Sequence, residues 1–184
     1  MLRQGVLIRP LIVNDAQAFW NLRLRAFTES PASFNTSPDE WRGHPLAEVE
    51  GLLRGEAGSS SDVVIGAFDP ELCGHVGLRR ELRQKRAHRA TLWGLYVAPE
   101  VRGHGIGDRL VAALLDHARS QTDLVIVELT VMADNGHALG LYQRFGFRRY
   151  GYQRRAAKTD EGYRDEERLM LELDAITEPP SGSC

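Results

Sequence analysis

The segment "VRGHGIGDRLVAALLDHA", Val101 to Ala118, constrains the fold more than any other stretch of the chain. It follows "RATLWGLYV", a β-rich run stopped by Pro99. It sets glycines at 103, 105 and 107 beside the start of a helix whose Ile106, Leu110, Leu114 and Ala118 share one face. A strand handed over to a helix in this way belongs to a layered fold in which helices cover a sheet. Glycine loses more backbone freedom on folding than any other residue, so its use here implies positive φ or a ligand lying against bare backbone. One glycine would serve a tight turn, whereas three at alternate positions over-supply it. Free N–H groups at a helix start, reinforced by the helix dipole, suit a phosphate.

The remaining chain reads as a single layered unit. "GVLIRPLIVNDA" suits an edge strand, because Pro10 cannot donate to a ladder. Asn14 or Asp15 is expected to cap a helix reaching about Glu29. Asp39 is expected to open a second helical stretch, interrupted at Gly43 and Pro45. "VVIGAF" and "LCGHVGLRREL" follow as strands around the turn Asp69-Pro70. After the glycine segment come a strongly apolar strand, "DLVIVELTV", a helical stretch, "NGHALGLYQRFGF", and two closing strands. No repeat or linker splits the 184 residues, which favours one α/β (α+β) domain over residues 1–174 and a flexible tail over 175–184.

Composition narrows the function. A net charge of -2 gives no global pull towards nucleic acid or an anionic membrane, and no run approaches the ~18 apolar residues of a span. Cys73 and Cys184 lie far apart and in no metal-ligand spacing, so reduced thiols in a cytoplasmic protein without a metal are expected. Among phosphate-binding loops, the Walker pattern fails because no Lys-Ser or Lys-Thr follows the glycines. The dinucleotide fingerprint fits poorly: Glu128 lies about twenty residues on, but the spacing is G-x-G-x-G and Glu128 falls mid-strand. A nucleotide-binding enzyme stays open as the weaker alternative.

"LYVAPEVRGHGIG" resembles the acyl-CoA loop of the GNAT N-acetyltransferase superfamily, whose form is (Arg/Gln)-x-x-Gly-x-(Gly/Ala). Arg102, Gly105 and Gly107 fill those places, with Gly103 as a common companion. "VMADNGHALGLYQRFGF" resembles the second half of the motif, an Asn after the central strand and then Leu-Tyr-x-x-x-Gly-Phe. "GYRDEERLMLEL" is a frequent ending, and the resemblance covers about residues 60 to 174.

The resemblance implies a mixed, mostly antiparallel sheet with helices on both faces. It further implies acetyl-CoA as co-substrate and direct attack by an amine in a ternary complex. The backbone of Leu95, Tyr96 and Val97 would then follow the pantetheine arm. The loop from Arg102 through Gly103, His104, Gly105, Ile106 and Gly107 to Asp108 would grip the pyrophosphate, with Arg109, Asn135 and Arg144 as further contacts. Tyr142 would return a proton to the departing thiolate. Many members carry a Glu on the strand before the loop, where this chain has Thr91, so the base is open; Glu128 is the candidate, with a salt bridge as its competing role. The acceptor would be a small-molecule or a protein or peptide amine, bound between the first helices and the last loop. Trp20, Trp41 and Trp93 read first as core. A non-catalytic acyl-CoA sensor remains open, and an exposed edge or the final hairpin leaves room for a homodimer.

Overall fold

The computed structural model describes residues 5–56, 62–159 and 162–173; the expected tail over 175–184 lies outside them. Seven strands are β1 (Leu7–Pro10), β2 (Val63–Phe68), β3 (Leu72–Arg80), β4 (Arg89–Val97), β5 (Ile126–Met132), β6 (Arg148–Thr159) and β7 (Gly162–Glu172). They form one sheet in the order β1-β2-β3-β4-β5-β7-β6. β1, with its proline, does take an edge. Only β4 and β5 run parallel; every other neighbouring pair is antiparallel.

Five helices cover this sheet: α1 (Ala16–Glu29), α2 (Pro38–Arg42), α3 (Leu46–Leu53), α4 (Ile106–Arg119) and α5 (Gly136–Arg144). The 3.6-residue period of α4 buries Ile106, Leu110, Val111, Leu114, Leu115 and Ala118. A Cβ on Gly74 of β3 would meet Leu110 at 3.2 Å, while the next residue, His75, lies edge-on to Phe19 of α1 at 4.9 Å. Successive strand residues point to opposite faces, so α4 and α1 cover opposite sides.

Two helix starts differ from expectation. Asp15 does not cap α1. Its carboxylate accepts two hydrogen bonds from the Arg9 guanidinium, at 2.6 and 2.9 Å, and one from the Ile12 N–H at 2.8 Å. A charged bidentate partner is stronger than a neutral amide, and it holds the Asp15 pKa below its usual range. α2 is opened by Ser37 rather than Asp39. Ser37 Oγ accepts from the Glu40 N–H, and the Glu40 carboxylate accepts from the Ser37 N–H, a reciprocal capping box.

His75 is the one fully buried polar side chain among the described residues, and neither ring nitrogen has a partner there. Burial, and then the neighbouring Arg23 charge, push its pKa well below the usual histidine value. The unfolded chain takes up this proton near pH ~6.5 and the folded chain does not. Stability is therefore expected to fall as pH drops below about 6.5, by up to roughly 1.4 kcal/mol per pH unit for the single proton. Urea unfolding between pH 7.5 and 5.5 checks this, with a His75→Leu variant expected to flatten the slope.

Candidate active site

β4 and β5 pair only from Arg89–Thr91 against Ile126–Glu128. Past Thr91 they part, and a cleft of about 600 Å³ opens between the free edge of β4, the start of α4 and α5. On its other edge β4 stays paired with β3 as far as Val97↔Gly74, and the Ala98 N–H donates to the Cys73 carbonyl at 2.8 Å. Main-chain groups alternate along a strand, so Leu95 and Val97 turn theirs towards the cleft. The Val97 carbonyl accepts from Arg102 Nε at 2.8 Å.

The glycine loop forms the opposite lip. Gly103 and Gly105 have φ of 78° and 71°, the left-handed region, and a Cβ at either would meet nothing within 4 Å. The N–H groups of Gly103 through Asp108 have no partner among the described residues. They stand at the positive end of α4, a 14-residue helix. A row of unspent donors over open space can accept an anion without rearrangement.

Eleven of the expected site residues line this cleft: Leu95, Tyr96, Val97, Arg102, Gly103, Gly105, Ile106, Gly107, Asp108, Asn135 and Arg144. Asn135 also caps α5, its Oδ1 accepting from the Ala138 N–H at 3.1 Å. Arg144 donates to the Asp108 carboxylate at 2.7 Å across the mouth. Tyr96 lines the cleft, while its hydroxyl donates to Glu29 at 2.6 Å.

Four expected residues are not among those that line the cleft. His104 turns back on its own loop, its Nδ1 bonding the Arg102 carbonyl at 2.9 Å. Arg109 donates to the Val6 carbonyl at 2.6 Å and does not border the cleft. Tyr142 is buried on α5 beside the lining residue Leu141, its ring 5.7 Å from Phe147 in a T-shaped contact. Its hydroxyl has no hydrogen-bond partner among the described residues, and burial pushes its pKa up. Glu128 pairs across the sheet with Thr91, so roughly 13 Å of strand separates it from Leu95. Its carboxylate is bonded by Arg89 and by the Tyr150 hydroxyl, so the arrangement is that of a salt bridge within the sheet.

Ser30, Ser33, Phe34 and His137 also line this cleft, beside the expected cofactor contacts. The first three sit in the "ESPASF" loop, whose polar composition marks a loop but not the strand edge it reaches. Among the described residues no three His, Cys, Asp or Glu side chains come together as a metal site. No helix there is long and apolar enough to cross a membrane.

At its one parallel junction among the described residues the sheet opens onto a row of unspent amides. The chain belongs to the acetyltransferase (GNAT) family, whose model matches residues 17–147. It is similar to mycothiol acetyltransferase of Brachybacterium faecium, 30% identical over 149 residues, which are 80% of this chain and 42% of that protein. Among solved structures, a GNAT-family acetyltransferase of Streptococcus pneumoniae superposes with a TM-score of 0.85 at 24% identity, over 92% of this chain and 100% of that one. The yncA protein of Salmonella typhimurium, solved with its cofactor acetyl-CoA, has a TM-score of 0.77 at 19% identity, over 97% and 99%. The chain spans about half the length of the first curated relatives it matches.

Proposed function

We propose that this chain transfers an acetyl group from acetyl-CoA to an amine, carried by a small molecule or by a protein. The observation that carries the reading is the run of unpartnered N–H groups from Gly103 to Asp108 beside the unpaired edge of β4. The donors suit a pyrophosphate, and the unpaired edge of β4 suits an extended arm. A side chain at 103 or 105 would project into that space, which fits a group lying directly on the backbone.

Bound there, acetyl-CoA supplies an acyl group activated as a thioester. The chain's own part is to hold and orient. Loop amides would take the phosphates, with Asn135 and Arg144 beside them, and Leu95 and Val97 would bond the arm as an added strand. The Val97 N–H points into the gap and would polarise the acyl carbonyl; one preorganised donor of this kind contributes a few kcal/mol. The amine nitrogen forms its bond to the carbonyl carbon as the carbon–sulfur bond breaks. Tyr142, kept protonated by burial, would give its proton to the leaving sulfur. The amine proton passes to solvent, since the Glu128 carboxylate is committed to Arg89, and solvent returns a proton to the Tyr142 phenolate to complete the cycle.

Glu128→Gln is accordingly expected to leave kcat and its pH profile unchanged and to cost roughly 1–3 kcal/mol of stability through the lost charge-assisted bond. Steady-state kinetics and urea unfolding on the same variant check both. The reading as a whole is tested by unfolding with acetyl-CoA, NAD or ATP in turn. At ~100 times its dissociation constant, a ligand adds roughly 2.7 kcal/mol. Stabilisation by acetyl-CoA alone, followed by amine-dependent thiol release, supports the transferase. Binding without thiol release over a broad amine panel would mean a sensor instead.

A further inference from the structure

A second cavity, of about 690 Å³, lies on the α1 face of the sheet between α1, the α2–α3 segment and strands β3 and β4. Its wall contains the least expected charge in the chain. Arg23, from α1, has Nε and Nη1 buried with no hydrogen-bond partner among the described residues. Its Cζ lies 4.8 Å from the ring centroids of Phe27 and of Trp41, 5.0 Å from that of Trp93 and 5.7 Å from that of Phe19. Aromatic faces stabilise the cation but leave the in-plane N–H donors of the guanidinium unspent.

The other half-buried guanidiniums are treated differently. Arg9 is held by Asp15, Arg80 by Asp123 and Arg89 by Glu128. Among the described residues Arg23 has no carboxylate partner, and neither has Arg79, which lies 5.5 Å from the Trp93 ring on the same cavity. Their mutual repulsion adds to burial in lowering the Arg23 pKa to about 10, so it stays charged at neutral pH. Two carboxylates border the cavity, and both are engaged: Glu48 with His44 at 3.1 Å and Glu56 with Arg54 at 2.6 Å. A buried charge without a partner is destabilising, and the missing partner here is an anion. The surrounding Trp41, Trp93, Val49 and Leu52 require that the anion come with an apolar body.

The cavity and the acyl cleft share no lining residue but approach each other along β4, where Trp93 lines the first and Leu95 the second. Gly94 of β4 has φ of 66°, and a Cβ there would come within 2.7 Å of Arg23 Nη1. The guanidinium therefore rests on the β4 backbone one residue before Leu95, which lines the acyl cleft. We propose that this cavity is the acceptor pocket and that Arg23 binds the carboxylate of an amino-acid-type amine whose apolar side chain packs among Trp41, Trp93 and Leu52. In such a molecule amine and carboxylate share one carbon, so a carboxylate on Arg23 sets the amine beside Leu95. The proposal rests on the acetyl-CoA reading of the neighbouring cleft.

The test uses the N-acetyl derivatives of leucine, methionine and phenylalanine, each against its own carboxamide, titrated calorimetrically into the full chain with coenzyme A present. At least one carboxylate is expected to bind about a hundredfold tighter than its amide. Arg23→Gln should abolish that preference while leaving acetyl-CoA affinity unchanged. Equal binding of every pair, binding by none, or a preference that survives in Arg23→Gln overturns the proposal. The wild-type comparison stands even if the variant fails to fold. A chain that binds acetyl-CoA and acetylates amides as well as acids would lose this proposal and keep the transferase. A chain that ignores acetyl-CoA but, without coenzyme A, still prefers the carboxylates would lose the transferase reading and keep the anion site.

Discussion

Glutamate in place of Gly105 is expected to remove acetyl-CoA binding altogether, with the chain still folded. Gly105 is the residue before α4, at φ 71°, and a Cβ placed on it meets nothing within 4 Å. Two costs separate cleanly at this position. The left-handed backbone makes any side chain strained, by about 1 kcal/mol, and Gly105→Ala should show that cost with only modest loss of affinity. Glutamate adds a negative charge among N–H groups that would otherwise face phosphate. It would satisfy those donors itself, much as an acidic residue does in a helix first turn, and it repels a second anion. The measurement is the shift in unfolding free energy with acetyl-CoA. The roughly 2.7 kcal/mol gained by wild type at ~100 times its dissociation constant should vanish in Gly105→Glu and persist in Gly105→Ala at higher ligand concentration. Normal affinity in Gly105→Glu would remove the loop from the cofactor site.

Tyr142→Phe is expected to lower kcat by about a hundredfold, the lower end of what a positioned general acid contributes. The substitution removes a single oxygen. The ring keeps its contact with Phe147 and its burial between α5 and the sheet, and the hydroxyl has no partner among the described residues to lose. Folding stability and acetyl-CoA affinity should therefore be unchanged or slightly improved. A fall in kcat with equal KM for both substrates, under conditions where chemistry limits turnover, fits the proton-donor role. Unchanged kcat would assign Tyr142 to the core alone. A thioester with a better leaving group should narrow the gap between variant and wild type, because a weaker base has less need of the proton.

How much of this was legible beforehand depended on the range of the interactions involved. β4 is legible over residues 89–97, where it lies, because a β-rich run and Pro99 mark it locally. The Asn135 cap follows from one side chain and an amide three residues on. The cap at Asp15 failed for a reason still close in sequence: Arg9, six residues back, competes for the carboxylate. The sequence admits two roles for Glu128, and the register of β5 on β4 sets it beside Arg89, away from the gap. The resemblance offers Arg109 as a cofactor contact, and its side chain donates to the Val6 carbonyl instead of lining the cleft.

Arg23 marks the limit of sequence reading. On α1 it sits between Leu22 and Leu24 and looks like a solvated face residue, and nothing within a helical turn predicts Trp41 or Trp93 above it. What the sequence alone determined is what short-range physics governs: strand and helix periods, the glycine loop with its open amides, the caps, and the family that these residues spell. Only the tertiary structure decided where β4 parts from β5 and which charges lose their partners. Those outcomes depend on strand register and on helices packing across distant segments, so the energies that set them arise between residues that no local pattern connects.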